Sequence, residues 1–414
     1  MIYVFWFSIF MIFYAYFGYP LCLLGLSLVR RTNNPTESDN SKFKIQNSKL
    51  PSLSFIITAY NEEKRIREKI ENSLQQDYPR DKLEIIIASD CSTDKTDEIA
   101  KAYESQGVKL VRSPVRKGKE HAQKLAVEQA TGDILVFSDV ATIIKPDALT
   151  NIVANFTDKT VGCVSSVDKF MNPDGSVSGE GAYVRYEMFL RKLESRVNTL
   201  VGLSGSFFAA RKEVCQNWAD DLQSDFNTLL NSVKIGLHGI SDANTVGYYK
   251  NLADEKREFD RKVRTVLRGV SVLMRNLSLL NPFQYGLFSW QLLSHKLCRW
   301  LVPFFLVLAF IANAALAFSS HFYLGLFILQ LVFYAMAGLY HFGGQSHHIV
   351  APPSSFFDPT DSTDAPATIQ NSKLKIRNYL KLPYYFVAVN AGILLAWWKF
   401  LKGERALFWQ PSRR

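Results

Sequence analysis

Groups of polar residues in the first third of the chain have the chemistry of a site for an anionic ligand or a cation. Carboxylates can hold a nucleoside, a ribose or a hard cation, and lysine or arginine can hold phosphate. Each group alone is also typical of a helix cap or of a solvated surface. Their occurrence in sequence favours a binding site. The groups are Ala59-Tyr60-Asn61-Glu62, Ser89-Asp90-Cys91-Ser92, Arg116-Lys117-Gly118-Lys119 and Ser138-Asp139-Val140-Ala141.

Each group adjoins a segment that is predicted to be a buried β-strand. Apolar runs at 53–58, 83–88, 108–112 and 134–138 alternate with helical stretches at 62–75, 94–105 and 118–130. This alternation predicts an α/β domain with a mostly parallel sheet that is flanked by helices. Ligands of such sheets bind at the carboxyl ends of the strands, so the polar groups are expected to meet at one edge.

These motifs and their order resemble glycosyltransferase family 2, whose members have the GT-A fold. The resemblance covers about residues 51–300, and the apolar flanks are similar to those of membrane-bound polysaccharide synthases. It implies a nucleotide-sugar donor. It also implies that the segment from Ala59 to Glu62 and the carboxylate of Asp90 contact the nucleotide, and that Lys119 lies near the donor.

Asp139 stands where the family carries an Asp-x-Asp motif. The resemblance implies that Asp139 binds the donor diphosphate through a divalent cation, Mg²⁺ or Mn²⁺. The second aspartate of the motif is Ala141 here. Asp139 could still hold the cation, because Mg²⁺ often uses one or two carboxylates together with phosphate oxygens.

A second departure concerns the Gln-x-x-Arg-Trp motif of processive members. The matching segment runs from Arg261 to Thr265 and lacks both the glutamine and the tryptophan. Chain extension is therefore left open by the sequence. The basic residues Arg261 and Arg264 are expected to bind the diphosphate, and the alternative is a solvated helix face.

Two later segments are similar to the acceptor side of the family. The run from Gly202 to Phe207 resembles its Gly-rich segment, which assigns Gly205 and Ser206 to the acceptor side; a tight turn is the alternative. Asp225 matches the second residue of an acidic pair, which is the catalytic base in the family. The resemblance thus implies one inverting displacement in which Asp225 takes the acceptor proton, whereas the alternative role is a helix cap.

Composition places the chain at a membrane. Residues 1–29 and 301–341 contain no Asp, Glu, Lys or Arg. The formal net charge of +10 is explained by membrane headgroups, and no nucleic-acid motif is present, so no nucleic-acid partner is predicted. Five scattered cysteines indicate a reducing compartment without disulfides.

The basic residues next to the apolar segments indicate orientation. Residues 1–29 are long enough to cross a bilayer, which needs about 20 residues. Arg30 and Arg31 follow directly, and the link at 319–321 carries no Lys or Arg, so residue 30 onward is predicted to be cytoplasmic. A last apolar segment near 383–398 either spans or re-enters the membrane.

The sequence therefore predicts an inverting hexosyl- or N-acetylhexosaminyltransferase of the cell membrane, acting at its cytoplasmic face on a glycan or lipid-linked acceptor. Other polysaccharide-assembly proteins are potential partners. The alternatives are transfer of one sugar to a polyprenyl phosphate or another lipid, and a non-catalytic membrane partner with a degenerate domain. The predicted organisation is an anchor at 1–29, a cytoplasmic linker at 30–50, the GT-A domain at 51–280, an interfacial amphipathic helix at 281–300, two transmembrane helices at 301–341, a flexible linker at 342–381 and a membrane segment with a basic tail at 382–414.

Overall fold

The computed structural model describes residues 1–29, 50–171, 182–250, 255–343 and 370–406. The chain divides into two compact units. The sheet unit consists mainly of Leu23–Leu252 and Ser271–Leu292, and the helical unit consists of Met1–Cys22, Ala253–Val270 and Leu293–Arg405.

The sheet unit is built on an eight-stranded mixed sheet. β1, β2, β3 and β4 run parallel to one another, and β6 runs parallel to β8. β7 is antiparallel to β4 and β6, and β5 is antiparallel to β8, so the parallel arrangement expected from the sequence holds for the first half of the sheet. The order across the sheet is β3-β2-β1-β4-β7-β6-β8-β5. The strands are β1 (Leu53–Ala59), β2 (Leu83–Ser89), β3 (Val108–Arg112), β4 (Ile134–Asp139), β5 (Ile143–Ile144), β6 (Val161–Met171), β7 (Phe207–Arg211) and β8 (His238–Lys250).

The strand register brings the predicted binding groups to one edge. Ala59 at the end of β1 pairs with Ser89 at the end of β2. Thr58 of β1 pairs with Asp139, the last residue of β4. The carboxyl ends of these three strands therefore lie side by side, which confirms the expected juxtaposition.

Helices cover both faces of this sheet, and further helices form the other unit. α2 to α7 belong to the sheet unit, while most of α8 and the long apolar helices belong to the helical unit. The helices are α1 (Ile2–Val29), α2 (Ile66–Leu74), α3 (Thr96–Lys101), α4 (Lys119–Gln129), α5 (Ala148–Ala154), α6 (Ala182–Val197), α7 (Ser224–Lys234), α8 (Glu255–Arg275), α9 (Leu287–Ala317), α10 (His321–Gly343) and α11 (Gln370–Leu401).

The two faces of the sheet have separate hydrophobic cores. Phe55 and Ile57 of β1 pack in the core that includes residues of α2 and α5. Ile56, between them, packs in the core that includes residues of α4 and α7. Successive side chains of a strand point to opposite faces, so neighbouring residues at a strand end also meet different helices. This alternation decides which helix reaches Ser138 and which reaches Asp139.

Four helices among the described residues are long and apolar enough to cross a membrane: α1, α9, α10 and the part of α11 from Leu380. α9 begins at Leu287 and continues to Ala317. The predicted interfacial segment at 281–300 therefore overlaps α9, because no proline or glycine interrupts the helix between Leu287 and Trp300. The predicted linkers lie largely outside the described residues, although the chain is helical again from Gln370.

Candidate functional site

The loop after β1 is tied to the loop after β2. Asn61 has a φ of 51°, a left-handed conformation that asparagine tolerates better than most residues. Its N–H donates to Ser92 Oγ at 3.2 Å, and its Oδ1 accepts from the Thr93 N–H at 2.9 Å. The Glu62 N–H donates to Thr96 Oγ1 at 2.7 Å. These contacts hold the first two predicted binding groups together.

The side chain of Glu62 is already occupied. It is buried and forms an ion pair with Arg65, with a distance of 2.6 Å between Nη2 and Oε2. Burial raises the pKa of the Glu62 carboxyl, and Arg65 opposes this change. The carboxylate of Glu62 thus contacts Arg65, and Glu62 contributes to a ligand site through the conformation of its loop.

Tyr60 presents an aromatic ring beside the loop that follows β3. The guanidinium carbon of Arg116 lies 3.9 Å from the centre of this ring, which is within the range of a cation–π interaction. The basic group of the third motif therefore contacts the first motif directly. A flat ring with a cation on it can hold an aromatic base and a phosphate close to each other.

Asp90 organises the loop that leads to α4. Asp90 is 1% exposed, and its Oδ1 accepts from the Lys117 N–H at 2.9 Å. The Gly118 N–H donates to Oδ1 at 3.0 Å and to Oδ2 at 2.9 Å. Burial raises the pKa of Asp90, and these amide hydrogen bonds lower it. Gly118 has a φ of 108°, which an L side chain rarely adopts. Asp90 and Gly118 together set the position of Lys119.

Lys119 and Asp139 form an ion pair at the end of β4. The distance from Lys119 Nζ to Asp139 Oδ1 is 2.5 Å, and Nζ also donates to the Gly205 carbonyl oxygen at 2.9 Å. The side chains are 9% and 23% exposed. The Asp139 N–H donates to the Ser206 carbonyl oxygen at 3.0 Å. The predicted donor-side pair and the predicted acceptor-side segment therefore touch.

Asp225 lies on the other side of Gly205. It occupies the first turn of α7, is 8% exposed, and accepts from Gln223 Nε2 at 3.1 Å. A methyl group at Gly205 would lie 2.9 Å from Asp225 Oδ2, so the backbone of Gly205 runs directly past this carboxylate. Gln223, and not Asp225, is the N-cap of α7, and no side-chain capping hydrogen bond is formed there.

The structure adds Asp168 of β6 to this site, which the sequence did not indicate. Its carboxylate accepts from Ser204 Oγ at 2.6 Å and from Ser206 Oγ at 2.9 Å. Asp168 thus holds the Gly-rich segment through the hydroxyl groups of Ser204 and Ser206. No motif surrounds Asp168 in the sequence, so no local signal pointed to it.

Lys69 of α2 is a second residue that the sequence analysis missed. It is fully buried and donates to Ser138 Oγ at 2.8 Å and to the Thr142 carbonyl oxygen at 2.6 Å. Burial lowers the pKa of its amine to about 7, and the charge of Asp139 opposes this change. A signal was present, because Lys69 lies next to Ile70 and three residues after Ile66, on the apolar face of the helix.

Arg261 and Arg264 lie on α8 in the helical unit, whereas the other predicted site residues lie in the sheet unit. Burial lowers the pKa of Arg264, and the nearby charges of Arg268 and Arg261 act in the same direction. Their predicted contact with diphosphate stays a prediction.

The residues around Asp139 fit a divalent cation only if the ligand supplies most of the coordination. Among the described residues no group of three or more His, Cys, Asp or Glu side chains could hold a metal by itself. Asp139 offers a partly exposed carboxylate with one oxygen engaged by Lys119. This set fits a hard cation that receives its remaining ligands from phosphate and water, as Mg²⁺ commonly does.

Comparison with known proteins agrees with this geometry. The profile of glycosyl transferase family 2 matches residues 54–218. Poly-beta-1,6-N-acetyl-D-glucosamine synthase of Staphylococcus aureus is 29% identical over 202 residues, 47% of this chain and 48% of that protein. The synthase of Staphylococcus epidermidis is 25% identical over 187 residues, 43% of this chain and 45% of that protein. The matches thus span about half the length of these relatives.

A solved structure has the same architecture over nearly the whole chain. It is the mannosyltransferase PcManGT from Pyrobaculum calidifontis in complex with GDP-Man and Mn²⁺, with a TM-score of 0.64 at 22% identity. The similarity covers 97% of this chain and 100% of that one. At this identity the likeness establishes the fold. With the sequence match, it shows that this chain carries a glycosyltransferase family 2 domain with the GT-A fold.

Proposed function

We propose that this protein is an inverting glycosyltransferase that moves a sugar from a nucleotide-sugar donor to a glycan or lipid-linked acceptor. The observation that carries the proposal is the position of Gly205. Its carbonyl oxygen accepts from Lys119, the partner of Asp139, and its backbone runs past the carboxylate of Asp225. One carboxylate for the donor and one carboxylate for the acceptor thus lie close to the same residue, an arrangement that suits a direct displacement.

The nucleotide would lie at the edge formed by the ends of β1 and β2. The ring of Tyr60 and the guanidinium of Arg116 offer a stacking surface with a positive charge. Asp90 acts by holding the loop of Lys117 and Gly118, whose backbone then lines the nucleotide. Lys119 supplies positive charge for the diphosphate as it leaves.

Asp225 would remove the proton of the acceptor hydroxyl during attack on the anomeric carbon. A carboxylate is a weak base towards a free hydroxyl. It can serve because the hydroxyl becomes acidic only as the new bond forms. One displacement of this kind inverts the anomeric configuration. Gly205 and Ser206 would border the acceptor.

A divalent cation is part of the proposal. The Pyrobaculum mannosyltransferase was solved with Mn²⁺ and GDP-Man, and in this chain Asp139 is the last residue of β4 and carries a partly exposed carboxylate. Asp139 would hold the cation together with donor phosphates. When bound, the cation supplies charge neutralisation of the diphosphate leaving group. Arg261 and Arg264 are proposed as further diphosphate contacts.

The cytoplasmic face of the cell membrane is the proposed location of the reaction. Four helices in the described part of the chain have the length and composition to cross a membrane. Arg30 and Arg31 follow the first of them, and the link between α9 and α10 at 319–321 carries no Lys or Arg. Such a bias keeps basic segments in the cytoplasm. The relatives' names support polysaccharide synthesis as the setting.

The test is a donor screen with the full chain in nanodiscs. Release of nucleoside diphosphate is measured from UDP- and GDP-sugars with Mn²⁺, with and without a lipid-extract acceptor. We expect turnover of at least one donor and a much slower reaction for Asp225→Asn. Absence of release from every donor, or equal release by the variant, would refute the proposed activity or its base.

A further inference from the structure

Lys69 places an amine inside the core of the sheet unit. It lies on the buried face of α2 between Ile66 and Ile70, and its exposed fraction is 0%. Burial of an ammonium group is unfavourable unless its charge and N–H groups find partners. An apolar side chain of similar volume often replaces a buried ion without loss of stability. Packing alone therefore does not explain a lysine at this position.

The ammonium group holds both ends of the turn that contains Asp139. Lys69 Nζ donates to Ser138 Oγ at 2.8 Å and to the Thr142 carbonyl oxygen at 2.6 Å. The turn itself is closed by the Thr142 N–H, which donates to the Asp139 carbonyl oxygen at 3.1 Å. The ring centre of Phe55 lies 5.1 Å from the same nitrogen. Lys69 thereby fixes the residues before and after Asp139.

Two lysines reach the end of β4 from opposite faces of the sheet. Ser138 points towards α2 and contacts Lys69, whereas Asp139 points towards α4 and contacts Lys119. The strand alternation makes this possible, because adjacent residues face opposite layers. The carboxylate of Asp139 also favours the charged form of Lys69. The buried lysine is thus linked to Asp139 both by the turn and by charge.

We propose that Lys69 is a positioning residue for donor binding, which fixes the turn from Ser138 to Thr142 so that Asp139 and Lys119 meet the donor diphosphate. This inference rests on the proposed function, which assigns Asp139 to the diphosphate. Ala141 removes the second carboxylate of the usual motif, so a single aspartate must be held in place. A misplacement of about 1 Å at a reacting centre can lower the rate on the order of 100-fold.

The test compares Lys69→Met with Lys101→Met in the full chain in nanodiscs. Lys101 is exposed at the end of α3 and controls for the loss of a lysine. Lys69→Met should still unfold cooperatively, because methionine fills the site without a buried charge. Its affinity for UDP or GDP with Mn²⁺ should fall, and its donor KM should rise, each on the order of 10- to 100-fold. Lys101→Met should match the wild type.

A purely structural lysine would behave differently. Replacement of such a lysine would lower the unfolding temperature but leave the nucleotide affinity and the donor KM of the folded protein unchanged. That outcome would overturn the proposal. Ser138→Ala keeps the test decisive if Lys69→Met does not fold, because it deletes one contact of Lys69 without adding volume. It should weaken nucleotide affinity in the same direction and less strongly; wild-type affinity in this variant would count against the proposal.

The same measurements distinguish a failure of the proposed function from a failure of the proposed role of Lys69. A wild-type chain that neither binds nor turns over any nucleotide sugar refutes the proposed function, and the role of Lys69 falls with it. A wild-type chain that is active, together with folded variants that are equally active, refutes only the role of Lys69.

Discussion

The proposed donor side and the proposed acceptor side of the site are assembled in different ways. The donor side comes from the ends of β1, β2 and β4, which are parallel neighbours with their polar groups in adjacent loops. The acceptor side comes from Asp168 of β6, the segment before β7, and Asp225 of α7. Residues distant in sequence meet there through antiparallel pairing. The residues proposed for the donor thus come from local motifs, and those proposed for the acceptor are brought together by long-range contacts.

Replacement of Asp225 should give the largest effect and should separate the two sides. Asp225→Asn keeps the shape and removes the base, so kcat should fall by roughly 10²- to 10⁴-fold. Donor affinity by calorimetry should stay at the wild-type value. Asp81→Asn, at an exposed position, is the matched control. Full activity in Asp225→Asn would remove the base from the acceptor side.

Replacement of Asp139 should act on the donor side. Asp139→Asn removes the charge that pairs with Lys119 and the carboxylate proposed for the cation. We expect donor affinity to fall on the order of 10- to 100-fold, together with a higher Mn²⁺ requirement. Titration of Mn²⁺ at fixed donor concentration measures this. Unchanged affinity combined with slower turnover would place Asp139 on the acceptor side.

Gly205→Ala probes the boundary between the two sides. The new methyl group would lie 2.9 Å from Asp225 Oδ2 and would push this carboxylate away from its position. We expect kcat to fall by about tenfold with little change in nucleotide affinity, because a small displacement of a base is enough to slow the reaction. Gly236→Ala is unsuitable as a control, since its φ is 82°. Gly325→Ala has open space around its Cβ and serves instead.

The smallest expected effect is a pH dependence of stability from Lys69. Its pKa is lowered to about 7 in the folded chain from 10.5. The unfolded chain therefore binds more protons between these values, and the free energy of unfolding rises with pH. Denaturant unfolding between pH 7 and 8.5 should show a steeper rise for wild type than for Lys69→Met. Equal slopes would mean that Lys69 is not titrating in this range.

The buried thiols set the upper limit of the pH range for this unfolding comparison. Burial raises the pKa of Cys163 from 9.0 to about 12, so its contribution to stability is lost as pH rises above 9. This acts against the contribution of Lys69. A comparison that stops at pH 8.5 isolates the lysine.

The long apolar helices show where a sequence pattern sufficed. Charge-free runs predicted the apolar segments, because a bilayer-spanning helix needs about 20 apolar residues in succession. The start of α9 at Leu287 was not apparent, since His295 and Lys296 within it suggested an interfacial helix. A continuous helix tolerates such residues when others along its length are apolar.

The sequence by itself determined the parallel half of the sheet, the order of its strands' polar ends and the apolar segments. These follow from short-range patterns of hydrophobicity and from motifs within a few residues. Only the tertiary structure decided that the Asp90 carboxylate accepts hydrogen bonds from the amides of Lys117 and Gly118. The same is true of the hydrogen bond from Ser204 Oγ to Asp168.

The contacts of the two lysines at the end of β4 were also decided only by the tertiary structure. Lys119 belongs to a motif, and Lys69 is a lone residue on an apolar helix face. Their approach to Asp139 and Ser138 from opposite layers depends on which face each strand residue takes and on which helix covers that face. Sequence periodicity predicts that successive side chains of a strand alternate between the two faces of the sheet. The lysine that each of them contacts is decided only when the helices pack on the sheet. The cost of burying a charge is then offset by residues that are far apart in the chain.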